Sequence, residues 1–152
     1  MTKSKVCPHC ETSKPLSEFA YIKTRSVTYY PRCRSCDARR VVLGRHKTFR
    51  GLLAHATSAA KQRSLRMDRE FSITVDDVMS VLEAQGYKCA VTGVPLSHLQ
   101  PGDRTNASLD RIDSRFGYTP SNIQIVCVIV NTMKHDLSPG ELAHWCHLIS
   151  AG

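Results

Sequence analysis

Apolar positions along the chain fall into short periodic runs separated by turn residues. From about Thr48 to about Leu65, Leu52, Leu53 and Ala54 sit among Arg50, Lys61 and Arg63, which predicts a helix with one apolar stripe and one cationic face. Phe71-Ser72-Ile73 reads as a short extended stretch. Thr74, with Asp77 three residues on, then opens a helix in a capping-box-like arrangement. Val75, Val78, Met79, Val81 and Leu82 form the stripe of that helix, and Gly86 ends it. Thr92-Gly93 marks a turn, and 100–106, with Pro101 and Gly102, an exposed loop. Leu109 and Ile112 among polar neighbours predict a short half-buried strand, a second short strand follows, and Val128, Ile129, Val130 and Met133 predict a helix over Cys127–Asp136. Ser138, Pro139 and Glu141 start a last helix, expected to turn Leu142, Trp145 and Leu148 toward the core. Short strands interspersed with longer helices make the fold class α+β.

The first 40 residues break this pattern. Leu16, Phe19, Tyr21, Tyr29 and Tyr30 are too few to make a core, and Cys7-Pro8-His9-Cys10 and Cys33-Arg34-Ser35-Cys36 flank them. Two such knuckles supply four thiolates to one tetrahedral ion, so Cys7, Cys10, Cys33 and Cys36 are expected to hold a structural zinc that supplies the fold energy. Four thiolates leave no open position, which argues against a catalytic zinc. The chain has seven cysteines, an odd number, and three are scattered; metal binding fits this better than a disulfide framework.

Lys and Arg total 21 against 13 acids, a net charge of +8, and this suits a polyanionic partner. No apolar run reaches the roughly 18 residues of a membrane span, and the N-terminus lacks the apolar core of a signal peptide. A cytoplasmic protein with reduced thiols is expected.

The run from Ser108 to His135 carries the candidate chemistry. Asp110 is a hard oxygen ligand on the first strand, of the kind Mg2+ accepts while keeping much of its water. Asn131 and His135 are i,i+4 on the predicted helix and should share one face. If that face packs on the Asp110 strand, an Asp, an Asn and a His surround one divalent cation, which can stabilise charge on a scissile phosphate.

The phrases Ser108-Leu109-Asp110-Arg111-Ile112-Asp113-Ser114, Gly117-Tyr118-Thr119-Pro120, Asn122-Ile123-Gln124, Val126-Cys127 and Asn131-Thr132-Met133-Lys134 resemble the HNH, or ββα-metal, nuclease superfamily. With the four-cysteine module and basic helix before them, they look like a phage and bacterial branch that includes rare-cutting homodimeric restriction enzymes. The resemblance implies a zinc-stapled N-terminal module, a ββα-metal nuclease core with flanking helices, and metal-dependent hydrolysis of DNA phosphodiesters. It makes Asp110 and Asn131 the ligands of a catalytic Mg2+ or Mn2+, and gives Asn122 the task of tying the loop between the strands. It also implies that the basic segment from Arg34 to Arg66 holds double-stranded DNA.

Two departures stand out. The family's general-base histidine is Arg111 here, and an arginine cannot serve as an ordinary base, though it can clamp a phosphate. Water activation then falls to Tyr118, which the resemblance suggests, to His135, or to a metal-bound hydroxide. A second four-cysteine site of relatives is reduced here to Cys89 and Cys127, expected with Cys146 to be small buried apolar residues, although His98 could assist a metal. The organisation read from these features is a four-cysteine module over 1–40, a basic helical segment over 41–86 and a nuclease core over 87–152. The principal alternative is a catalytically inactive zinc-containing DNA-binding protein, and a weaker one is a nuclease acting on RNA. Nicking requires one site per chain; cutting both strands requires two, and a homodimer would provide them.

Overall fold

The structure, a computed structural model, describes residues 3–23 and 27–152. Met1 and Thr2, the start of the terminus read above as lacking a signal peptide's core, lie outside them. The chain divides into two units, Met1–Gly44 and Arg45–Gly152. The basic 41–86 segment is thus shared: residues 41–44 close the first unit and 45–86 fold with the second.

In the first unit two hairpins precede one helix. Strand β1 (Ser4–Val6) pairs antiparallel with β2 (Ser13–Pro15), and β3 (Phe19–Lys23) with β4 (Val27–Cys33). Helix α1 (Arg34–Arg45) follows directly. The buried cluster is Phe19 with Cys7, Cys33 and Cys36, and Tyr29 packs on it. One phenylalanine and a handful of sulfurs are too little apolar surface to hold such a unit without a staple.

The second unit contains the main core. Helix α2 (Phe49–Arg66) is capped by Thr48, whose hydroxyl accepts from Gly51 N–H, and it buries Leu53, Thr57, Ala60 and Ser64 along one stripe. Helix α3 (Val75–Ala84) has the expected capping box between Thr74 and Asp77 and buries Val78 and Leu82. Strands β5 (Ala107–Arg111) and β6 (Ile123–Cys127) form an antiparallel pair in which Asp110 lies opposite Gln124. Helix α4 (Val128–Lys134) follows β6 at once, completing a ββα unit. Leu109, Ile123, Ile125, Val126 and Val130 join Leu53, Val78 and Leu82 in one buried cluster. The fold is α+β as expected.

Two expectations fail in the last 25 residues. Helix α4 ends at Lys134, short of the predicted Asp136, because His135 takes a left-handed conformation (φ +48°) as its C-cap. Helix α5 (Pro139–Ala151) has its predicted Ser138–Glu141 capping box, but only Leu142 is buried. Trp145 is 55% exposed and Leu148 46%, while Cys146 is half-buried against the core rather than fully covered. The packed stripe therefore continues from Leu142 by four residues to Cys146, and the Trp145–Leu148 line rotates outward.

The loop between β5 and β6 is braced from outside. Tyr118 N–H donates to Glu70 O (3.0 Å) and Ser72 N–H to Tyr118 O (3.0 Å), so the Phe71 stretch runs beside Tyr118. A side chain at Gly117 would collide with the Glu70 carbonyl. Gly117→Ala is expected to destabilise the unit by about 1–3 kcal/mol, the usual range for overpacking, and to loosen Tyr118. Urea unfolding checks it; an unchanged midpoint would mean that this close approach is not maintained.

Candidate functional site

Strand β5, helix α4 and helix α2 frame one cleft of about 380 Å³. Its lining includes Arg63 from α2, Asp110 and Arg111 from β5, Tyr118 from the loop, Asn131 from α4, and His135 at its rim. Of the candidate catalytic residues read from the sequence, all but Asn122 line this cleft.

Asp110 is buried and its carboxylate is already engaged. Gln124 Nε2 donates to Oδ2 at 2.9 Å, as the cross-strand register requires. Lys134 Nζ lies 3.2 Å from each carboxylate oxygen, with the lysine side chain fully buried. The same ammonium donates to Arg111 O (2.8 Å) and Ser114 Oγ (3.3 Å), so its three protons have three partner residues. Lys134 stands beside the candidate ligand without having been among the candidate site residues read from the sequence. Its signal was present: it stands three positions after Asn131, on the same face of α4.

Asn131 is oriented by its amide nitrogen, which donates to Ser108 Oγ (2.7 Å) and Leu109 O (3.3 Å). A carbonyl can only accept, so the side-chain oxygen must point the other way. That oxygen and the remaining lone-pair capacity of Asp110 are two hard donors at one cleft. A hydrated Mg2+ or Mn2+, which needs few protein ligands, fits that donor set. The Lys134 ammonium beside Asp110 weakens any such site by direct repulsion.

Arg111 is held by the loop through Nη1 to Phe116 O (2.9 Å), and its guanidinium carbon lies 5.3 Å from the Tyr118 ring centroid. Tyr118 is 5% exposed, and its hydroxyl oxygen accepts from Arg63 Nη2 at 2.9 Å. Arg63 was read from the sequence only as one charge on a basic helix; 55 residues separate it from Tyr118, and no local spacing links them. Asn122 lies outside the cleft and staples the loop. Its oxygen accepts from Asp113 N–H (2.9 Å), and its nitrogen donates to Asp113 O (3.0 Å) and Gly117 O (2.8 Å).

His135 does not share the Asn131 face in the way a longer helix would have imposed. Its side chain is 83% exposed, with Nδ1 3.0 Å from Asp136 Oδ1. Bonding to this histidine holds the Asp136 carboxyl below its usual range. A carboxylate can only accept, so the contact places the proton of a neutral His135 on Nδ1 and leaves Nε2 as an acceptor.

In the first unit, the sulfurs of Cys7, Cys10, Cys33 and Cys36 all lie within 4.8 Å of one another. A tetrahedral ion with S–metal bonds near 2.3 Å needs sulfurs roughly 3.8 Å apart, so the cluster can close on a metal with little movement. Donation from Cys33 N–H lowers the Cys7 thiol to about 5, whereas the neighbouring Cys33 sulfur and burial push Cys36 up to about 12. Four adjacent thiols cannot all ionise without a cation to offset their repulsion. Among the described residues this is the one group of three or more Cys, His, Asp or Glu ligands close enough to hold an ion. Cys89 and Cys127 are buried, with Cys127 N–H donating to Cys89 Sγ at 3.4 Å. His98 Nδ1 pairs instead with His46 O (3.0 Å).

No helix among the described residues is long and apolar enough to cross a membrane. No protein-family model matches the sequence, and no curated protein matches it. Among solved structures the chain is similar to the rare-cutting HNH restriction endonuclease PacI, with 18% identity, 99% of this chain and 94% of that one covered, and a TM-score of 0.44. A likeness that distant fixes neither family nor activity.

Proposed function

We propose that the chain is a metal-dependent DNA endonuclease that hydrolyses phosphodiester bonds at the cleft between β5, α4 and α2. The observation that carries this reading is the convergence of Asp110, Arg111, Tyr118, Asn131 and His135 on one cleft of a ββα unit. Asp110 and Asn131 would hold Mg2+ or Mn2+. When bound, that ion supplies charge neutralisation at the scissile phosphate and makes water easier to deprotonate. Arg111 grips the phosphate and stabilises the added negative charge of the transition state. The four cysteines would hold a structural zinc.

Water activation belongs to His135 in this reading. Asp136 fixes its tautomer and leaves Nε2 free to take a proton, whereas the Tyr118 oxygen is engaged by Arg63. His135→Ala should therefore slow cleavage about 10²- to 10⁴-fold, the range for loss of a general base. A full rate in that variant would eliminate His135. The basic residues of α2 supply a sequence-independent hold on the duplex, and cutting both strands is proposed to need a homodimer.

Supercoiled plasmid incubated with and without Mg2+ or Mn2+ tests the reading. Nicked or linear product that depends on the metal supports it. Intact plasmid in every metal, with DNA retained in a gel shift, favours the second reading: an inactive zinc-containing DNA-binding protein. One observation favours that rival, namely the Lys134 ammonium seated on the proposed metal ligand.

A further inference from the structure

The Tyr118 hydroxyl has one proton and two lone pairs. Arg63 Nη2 donates to its oxygen, and a guanidinium cannot accept, so the tyrosine proton must be directed elsewhere. Among the described residues no protein group accepts that proton. Tyr118 is therefore a nearly buried, unpartnered donor in the wall of the cleft. The charge around it is one-sided. Asp110, the cleft's one carboxylate, is paired with Lys134, which leaves the guanidinium groups of Arg63 and Arg111, 5.9 and 5.3 Å from the Tyr118 ring centroid, without an acid among the lining residues. A smaller hollow of about 30 Å³ also has Arg63, Arg111 and Tyr118 in its lining, so these three form the partition between the two spaces.

We propose that Arg63, Tyr118 and Arg111 form one phosphodiester-gripping wall, in which Arg63 is a positioning residue that makes the Tyr118 hydroxyl a hydrogen-bond donor to a non-bridging phosphate oxygen. This rests on the nuclease reading for the identity of the anion. It gives Tyr118 a different task from proton abstraction: the hydroxyl keeps its proton and holds the phosphate.

A double-mutant cycle tests it, using Tyr118→Phe, Arg63→Met and their combination. Binding of a fluorescein-labelled DNA duplex is followed by anisotropy in buffer without divalent ions. Tyr118→Phe should weaken binding about tenfold, as expected for losing a hydrogen bond to a charged group. In the Arg63→Met background the same change should cost less than about twofold, because the hydroxyl is no longer aimed. Arg63→Met itself should lower the salt slope of binding by about one phosphate contact. Arg63→Lys, which keeps a donor, should restore part of the Tyr118→Phe effect. Multiplicative losses would overturn the positioning role, and unchanged binding in both single variants would overturn the wall. Unchanged binding combined with a cleavage rate lowered about 10²-fold or more in Tyr118→Phe would make the tyrosine a base instead. Wild-type protein that binds DNA without cutting it defeats the nuclease reading and still lets the cycle decide this one.

Discussion

Asp110→Ala is expected to abolish cleavage, by roughly a thousandfold or more, and at the same time to cost the 45–152 unit about 3–5 kcal/mol of stability. The first effect follows from losing the one carboxylate at the cleft: metal-based charge stabilisation is worth several kcal/mol, and each 1.36 kcal/mol is tenfold in rate. The second follows from Lys134, whose buried ammonium would keep Arg111 O and Ser114 Oγ as partners but lose its counter-charge. Breaking a buried pair from one side is costly because the remaining charge is stranded. A plain alanine test therefore confounds chemistry with folding. Asp110→Ala combined with Lys134→Met separates them, since an apolar pair of similar volume in place of a buried ion pair is often neutral. The double variant should recover most of the urea midpoint and none of the cleavage. Cleavage at the wild-type rate in Asp110→Ala would sink the assignment of Asp110, and an unchanged urea midpoint would sink the buried pair.

How far the chain could be read beforehand depended on whether the signal was local. The caps at Thr74 and Ser138 each involve residues within three positions, and both stand where expected; the helix expected from about Thr48 begins there, with Thr48 as its cap. The four-cysteine cluster and the ββα order were legible for the same reason, since knuckle spacing and a strand–strand–helix succession are local patterns. Asn122 ties its loop as the resemblance implied. What failed depended on tertiary geometry. The outward turn of Trp145 and Leu148 depends on which face of α5 docks, and two faces of that helix carry apolar residues. The early end of α4 depends on one left-handed residue, His135, a conformation that a helical pattern does not announce. Lys134 stands on the Asn131 face of its helix, but the sequence does not say how deeply that face is buried. Only the pairing of β5 with α4 shows that it is buried against Asp110.

Removing metal from the first unit should have the other large effect. Residues 3–44 are expected to lose their structure when a chelator strips the proposed zinc, while 45–152 remain folded. The reason is the size of the two cores. The 45–152 unit buries a continuous apolar cluster from Leu53 to Leu142, whereas the first unit buries Phe19 and three of its four clustered cysteines. Binding of structural zinc by small peptides of this kind is worth about 10–16 kcal/mol near neutral pH, far more than one phenylalanine's burial of about 1.5–3 kcal/mol. Metal also resolves the charge conflict among four clustered sulfurs, so acidification should mimic chelation as protons displace the ion from its thiolates. Metal analysis should find one zinc per chain; two would mean that Cys89 and Cys127 recruit further ligands. Amide NMR spectra before and after chelation give the structural readout, with loss confined to signals from the first 44 residues. Signals there that survive chelation unchanged would show that the hairpins and α1 stand without a staple, and that the four cysteines have some other use.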